Sequence, residues 1–416
     1  MRITLIGPAY PYKGGGARHT TELAHRLAAR GHDVVIESWR AQYPAALYPG
    51  RQTIDVPEAD LFAHTRHDLA WYRPDGWRRV GRRAGREADL VVAAVFSPVQ
   101  VVPYLGILGG IGRRARTVAL CHNVLPHERR RADVVLTRTL LRRVGTVLTH
   151  SPAQARLARA LVRGTGADVR TATLPPHLPE TGGERSGAVE PGATALPPHL
   201  PDAGEARSAA AEPGTDTGGK TDPAVATAGA GAPDADTGGE TGRKVRHHLL
   251  FFGIVRPYKG VDVLLRALAA GAPASVTLTV AGEVWGGADD LRSLAAELGI
   301  AERVEFREGY VASAELPELF GAADAVVLPY RSATATQNVW LAHEHGLPVI
   351  ATRAGTLADQ VRDGIDGLLC APGDPDDLAR ALAEFYTPGT PERLRAGVCP
   401  VDPEPYWDAY IEALTA

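Results

Sequence analysis

Along this chain the hydrophobic positions switch repeatedly between short apolar runs and helical spacing. Ile3 to Ile6 is a short, largely apolar run of the kind a buried strand requires. Pro8 to Gly16 interrupts it with a turn rich in proline and glycine. From about Ala17 to Arg30 the apolar positions, Leu23 and Leu27 among them, fall on one helical face, and Gly31-His32 supplies a stop. Asp33 to Glu37 then reads as a second strand. Strand, glycine loop, helix and strand open a doubly wound parallel sheet. The alternation continues with mixed strand and basic helix over 40–88, strands over 89–95, 117–121, 144–149 and 168–174, and helices over 97–109 and 151–162. Ser151 is a natural N-cap for the last of these helices.

From Pro179 to Gly242 the pattern stops. The stretch holds no Phe, Trp, Tyr or Ile and is mostly Gly, Ala, Pro, Glu, Asp and Thr, so it offers too little apolar surface to offset its ordering entropy. Leu174-Pro175-Pro176-His177-Leu178-Pro179 recurs as Leu196-Pro197-Pro198-His199-Leu200-Pro201, which reads as a slipped duplication inside a disordered linker. Beyond it, strands are predicted at 247–253, 275–281, 303–306, 324–328 and 347–351. Helices are predicted at 261–270, 288–298, 315–320, 336–345, 356–362 and 375–386, with a last short one within 405–414. The expected fold class is α/β, with two Rossmann-like doubly wound domains at 1–178 and 246–400. A low-complexity linker at 179–245 joins them, and a C-terminal helix lies within 401–416.

Composition narrows the class. With 416 residues, 44% hydrophobic and 22% charged, the chain is an ordinary globular protein of two-domain size. Residues 89–112 are the most apolar stretch, but Pro98, Pro103, several glycines, Asp89 and Gln100 break it as a membrane span. The N-terminus reads as a strand rather than a signal peptide. Cys121, Cys370 and Cys399 are too few and too scattered for a disulfide framework or zinc site, so a reducing cytoplasm is the expected location.

Charge divides the chain. Residues 1–178 carry 27 Lys and Arg against 13 Asp and Glu, whereas residues 246–416 carry 13 against 24. A basic first half suggests an anionic partner, with an arginine-rich composition as the plainer account. Trp71, Tyr72 and Trp77 stand among Arg73, Arg78, Arg79, Arg82, Arg83 and Arg86; further arginines follow at Arg113, Arg114 and Arg116. Such a stretch suits either a docking face for an anionic membrane or a solvated helix with two anchoring rings. Nucleic acid is not expected, since no nucleic-acid motif is present.

Two strand ends carry candidate chemistry. The apolar run Leu249 to Phe252 meets Gly253, a turn with Arg256 and Lys259 follows, and helical spacing resumes at Val261. Two cations at a strand-to-helix switch, beside a helix N-terminus, can hold a diphosphate; the same pattern also suits a surface turn with solvated cations. The glycine spacing is neither that of a Walker loop nor that of a dinucleotide fingerprint. The strand ending at Cys121 is followed by His122-Asn123, where α/β sheets bind ligands, although a lone histidine is more often structural.

The run Gly253 to Gly260, with its Arg-x-x-Lys-Gly core, resembles the start of the second domain of GT-B glycosyltransferases, within them the retaining group called family 4. Pro8 to Gly16 and Gly31-His32-Asp33-Val34 resemble the opening of the same family's first domain, and Asp324 to Tyr330, Gly346 to Thr352 and Asp363 to Gly367 resemble later parts of its second. The resemblance implies two domains facing a central cleft and a final helix that crosses back to the first domain. It implies transfer of a hexosyl unit from a nucleotide diphosphate sugar, with retention, to a lipid-linked, polysaccharide or small-molecule acceptor. It assigns Arg256 and Lys259 to the donor diphosphate and His122 to the donor sugar, with His127 and Glu128 as secondary positions. Gly14 and Gly15 would lie under the phosphates, with Gly16 as the alternate register. Gly253, Tyr310, Val311, Thr336 and Gln337 complete the implied donor site. No cofactor and no metal are expected, and peripheral contact with the inner face of the plasma membrane would bring a lipid-linked acceptor within reach.

The family's two glutamates fall here on Ala333 and Leu341, and Ser332 to Asn338 looks like a variant of the Ser-Ala-Thr-Gln run that replaces the acidic pair in some relatives. That departure keeps two alternatives open, a sugar-nucleotide-binding scaffold and a sugar-nucleotide epimerase.

Overall fold

A computed structural model describes residues 1–44, 51–55, 60–126, 130–177 and 245–416. Nearly all of the low-complexity segment expected at 179–245 lies outside the described residues, as do His127 and Glu128. The first half folds as β1 (Arg2–Ile6), α1 (Gly15–Ala29), β2 (Asp33–Ala41), β3 (Thr65–Ala70), α2 (Pro74–Glu87), β4 (Leu90–Val95), α3 (Val101–Ile111), β5 (Arg116–Cys121), α4 (Arg131–Leu141), β6 (Thr146–Thr149), α5 (Pro152–Val162) and β7 (Asp168–Thr171). Its sheet is parallel throughout, in the order β3-β2-β1-β4-β5-β6-β7.

The second half follows as β8 (His248–Phe252), α6 (Val261–Ala270), β9 (Thr277–Gly282), α7 (Asp289–Glu297), β10 (Val304–Glu308), α8 (Leu316–Ala322), β11 (Ala325–Leu328), α9 (Asn338–Glu344), β12 (Val349–Thr352), α10 (Leu357–Gln360), β13 (Gly367–Cys370), α11 (Pro375–Phe385), α12 (Thr390–Gly397) and α13 (Glu404–Thr415). Its six strands are again parallel, in the order β10-β9-β8-β11-β12-β13. Parallel strands are covered on both faces, which is why β4 and β11 are apolar and buried at every position.

In each sheet the strand order reverses once, beside β1 and beside β8. Ligands of open α/β sheets bind at that switch point, outside the carboxyl ends of the strands. The glycine loop follows β1 and the Arg256–Lys259 turn follows β8, so both occupy switch points. The described residues of both halves form one compact unit. Trp407, Tyr410, Ile411 and Leu414 of α13 share a core with Ile3, Leu5 and Leu23, so the last helix is built into the first sheet's packing.

Three elements escape the sequence pattern: α4, α12 and β13. Val135 of α4 faces solvent and Arg131 and Arg138 flank it, which blurs the helical period. α12 carries only one large apolar anchor, the fully buried Leu394. β13 has four residues, too few to show a period.

Candidate active site

The chain leaves β8 through Gly253, whose φ of 110° favours glycine. A Cβ there would stand 3.4 Å from both Lys259 Nζ and Asn338 Nδ2, so this backbone position is flanked by a cation and an amide. Asn338 Nδ2 donates to the Phe252 carbonyl (2.7 Å) and to the Tyr330 hydroxyl (3.1 Å). Lys259 Nζ lies 4.9 Å from the centre of the Tyr330 ring. Withdrawal from water pulls the Lys259 ammonium below the ordinary lysine range. The Arg256 guanidinium stacks on Trp285, 4.5 Å from its ring centre.

The turn between these cations is braced from β11. Pro257–Lys259 is a single 3-10 turn, and Gly260 (φ 68°) closes it so tightly that a Cβ would meet the Pro329 carbonyl at 2.1 Å. Arg331 NH donates to the Tyr258 carbonyl (2.7 Å), and its guanidinium to the Pro257 carbonyl (2.9 Å). The same guanidinium grips Asp262 with two 2.7 Å bonds. Asp262 stands in the first turn of α6, so the helix start already has a carboxylate of its own. What this end of β8 offers an anion is therefore chiefly the two braced cations.

The first half contributes the loop before α1. Gly14 has φ 89°, and a Cβ at Gly14 or Gly15 would touch nothing within 4 Å. Gly16 differs: a Cβ there would strike the Phe96 ring at 2.8 Å. Open space thus lies over Gly14 and Gly15, and Gly16 is a packing position. Lys13, just ahead, reaches the other half. Its ammonium pairs with Glu283 and lies 5.8 Å from the Tyr310 ring centre.

His122 belongs to a nest of histidines. Its ring stacks on Phe96 (centroids 4.1 Å apart, 15° between planes), and its Nε2 is covered and has no hydrogen-bond partner. The His19 ring lies 4.8 Å away and that of His150 4.9 Å away. His177, on the segment that leaves β7, completes the nest: its Nε2 is 2.9 Å from His19 Nδ1. Burial keeps all four rings neutral, with pKa values well below the usual histidine range, that of His150 at about 4. Among the described residues, no three His, Cys, Asp or Glu side chains converge as metal ligands.

Two polar ties join the halves beside this nest. Gln337 accepts from His177 NH and donates to the Pro175 carbonyl, each at 2.9 Å. Thr334 hydrogen-bonds Asn123. Gln337, expected in the donor site, thus has both ends of its amide engaged by the chain leaving β7. Thr336 Oγ1 accepts from Asn338 NH at 3.2 Å. The helix expected from Thr336 begins at Asn338 and is seven residues long. Tyr310 is partly exposed, and Val311 packs on the second half's core.

Comparison with known proteins gives this geometry a context. The profile described as "Glycosyl transferase 4-like domain" matches residues 14–204, and that described as "Glycosyl transferases group 1" matches residues 246–387. Sucrose-phosphate synthase from Thermosynechococcus elongatus has a similar fold (TM-score 0.64, 17% identity), over 99% of this chain and 96% of that one. So does Anabaena HepE, solved with UDP and glucose (TM-score 0.61, 15% identity), over 100% and 99%. This chain belongs to the GT-B glycosyltransferases.

Among curated relatives of this GT-B chain, D-inositol 3-phosphate glycosyltransferase of Stackebrandtia nassauensis is 38% identical over 165 residues, 36% of either chain. Its counterpart in Streptomyces scabiei is 35% identical over 175 residues, 39% of either chain. The match thus spans little more than a third of these relatives' length. Leu341 is a core residue and Ala333 is packed against the core, so the two positions at which glutamates were expected from the resemblance carry apolar packing side chains. Lys13, Asn338 and Arg331 were not singled out in the sequence. Lys13 stands next to the glycines, and Asn338 ends the Ser332–Asn338 run, which are the signals that mark them.

On the first half's surface, Trp77 follows the second of the two readings of its helix, that of an anchoring ring. It is buried under α3 and donates its Nε1 to the Ala70 carbonyl at 2.7 Å, so it is an internal anchor and not an interfacial ring. Arg83 is likewise committed, to Glu37 and Asp68. Trp71, Tyr72, Arg78, Arg79, Arg82 and Arg86 remain exposed. No helix among the described residues is long and apolar enough to cross a membrane.

Proposed function

We propose that this protein transfers a hexosyl unit from a nucleoside diphosphate sugar to an acceptor hydroxyl, with retention and without a metal ion. The observation that carries the reading is the pair of cations, Arg256 and Lys259, on a turn braced by Arg331 and Tyr330 at the switch point of the second sheet. HepE, of the same fold, was solved with UDP and glucose, and in another structure with UDP-glucose. As the bond from the anomeric carbon to the phosphate oxygen breaks, negative charge gathers on the leaving diphosphate. Fixed cations stabilise that charge, and removing one donor from such a site costs about 10²–10³ in rate. The acceptor oxygen bonds the anomeric carbon from the face the phosphate leaves, and its proton passes to the departing phosphate oxygen.

The acceptor belongs with the basic first half. The exposed arginines of α2, with Trp71 and Tyr72 beside them, suit an anionic bilayer at about 1 kcal/mol per basic residue, which favours a lipid-linked acceptor. A phosphorylated inositol, the acceptor in the relatives' name, is the soluble competitor. Incubation with labelled UDP- and GDP-hexoses without acceptor tests the reaction class. Slow release of free sugar supports a transferase. A new sugar isomer would indicate an epimerase, and bound but unchanged donor a scaffold. Adding inositol 3-phosphate or a polyprenyl-linked sugar then identifies the acceptor, and the anomeric configuration of the product tests retention.

A further inference from the structure

The strongest unexplained feature is the ion pair between Lys13 and Glu283, 270 residues apart, one on each half. The Lys13 side chain is only 6% exposed and that of Glu283 19%. An ammonium so withdrawn from water needs an anion beside it, and a buried pair of this kind repays its desolvation only weakly. The halves are already tied by neutral bonds through Gln337 and Thr334, so a charged tie is not required to hold them.

Its position is informative. Glu283 follows Gly282 at the end of β9, and its carbonyl accepts from Val255 NH at 2.8 Å. Gly282 is packed so closely on Gly253 that a Cβ would meet the Gly253 carbonyl at 2.2 Å. Trp285, two residues on, is the ring on which Arg256 stacks. Glu283 therefore stands beside the loop that carries Arg256. Lys13 for its part immediately precedes Gly14 and Gly15, over which space is open.

We infer that Lys13 is a third cation of the diphosphate site and that Glu283 is its counter-ion in the ligand-free protein. When a nucleoside diphosphate settles on Arg256 and Lys259, its phosphate oxygens compete with the Glu283 carboxylate for the Lys13 ammonium. Lysine suits the exchange, being a point charge on a four-carbon stem with rotatable donors. No bond to carbon changes and no proton need move. Donor binding thereby reaches the first half directly, through the residue next to its glycine loop. The inference rests on the diphosphate reading of the site proposed above.

Calorimetric titration of the full chain with UDP, and with GDP and ADP in parallel, separates the two. Lys13→Met should weaken binding of the preferred diphosphate about tenfold and leave the corresponding monophosphate unchanged. Glu283→Gln should tighten the diphosphate severalfold, and that gain should vanish in the double variant. Thermal melts of each variant check that it is folded. Folded variants that bind the diphosphate as the wild type does would overturn the inference and leave the site reading intact. Failure of the wild-type protein to bind any of the three diphosphates would overturn both.

Discussion

The Nδ1 atom of His19 lies 2.9 Å from Nε2 of His177, so the helix after the glycine loop is joined to the segment that leaves the first sheet. His19 Nε2 is in turn 3.0 Å from the Tyr410 hydroxyl of α13. Each ring can donate through one nitrogen only while neutral, and three ring nitrogens in the nest, on His122, His150 and His177, are covered without a partner. The groups packed around it are Tyr410 and Trp407 from α13, Phe96 after β4, Cys121 on β5, and the cations Arg18 and Arg26 on α1, which depress His177 further.

These shifts set the sign of a pH dependence. The folded pKa values lie below the unfolded value of about 6.5, so between them the unfolded chain binds more protons. Stability is full above about pH 6.5 and falls as the pH drops below it. His150 alone, at about 4 in the folded protein, contributes a loss of roughly 3 kcal/mol by pH 4. Melting followed by circular dichroism from pH 7.5 to 4.5 should show this decline, less steep in His150→Phe. A melting temperature flat across that range in the wild type contradicts the account.

The α2–α3 pair supplies a stability prediction. A Cβ at Gly81 would meet the Ile107 carbonyl at 2.1 Å, and one at Gly110 the Arg78 carbonyl at 2.7 Å. The helices touch backbone to backbone, and backbone cannot give way cheaply. Gly81→Ala should destabilise by about 1–3 kcal/mol. Gly109→Ala, where a Cβ meets nothing within 4 Å, should be neutral or slightly stabilising. Urea titration of the two variants side by side checks the contrast.

Much of this was legible in the sequence. The parallel sheets follow from alternating apolar runs and helical faces, and Arg256 and Lys259 from their place between Phe252 and Val261. The nest was not. His19, His122, His150 and His177 come from α1, two strand ends and a connecting segment, and nothing local marks residues up to 158 positions apart as neighbours. The partners of Gln337 were hidden for the same reason, since 175–177 come beside it only once both sheets exist. Whether Trp77 is interfacial or anchoring was open in the sequence because arginines surround it there, whereas the helix turns it inward and Arg78, Arg79, Arg82 and Arg86 outward.

That outward face carries Arg78, Arg79, Arg82 and Arg86, all exposed. The protein should co-sediment with phosphatidylglycerol vesicles at low salt and detach as salt rises, because screening shortens the reach of the arginine field. Reversal of Arg78, Arg79, Arg82 and Arg86 to Glu should abolish binding without affecting UDP affinity. Equal, negligible sedimentation with anionic and neutral vesicles would assign the acceptor to solution.

The central claim is that Arg256 and Lys259 hold the donor's diphosphate, and a calorimetric comparison of wild type, Arg256→Ala and Lys259→Ala with UDP and GDP tests it most directly. Hydrogen bonds to charged groups are worth about 1.5–3 kcal/mol, so each substitution should weaken the preferred diphosphate by at least about tenfold. Affinity in the wild type should also decline at alkaline pH earlier than an ordinary lysine would allow, because burial lowers the Lys259 pKa. Folded Arg256→Ala and Lys259→Ala proteins that bind the diphosphate as tightly as the wild type would contradict the account.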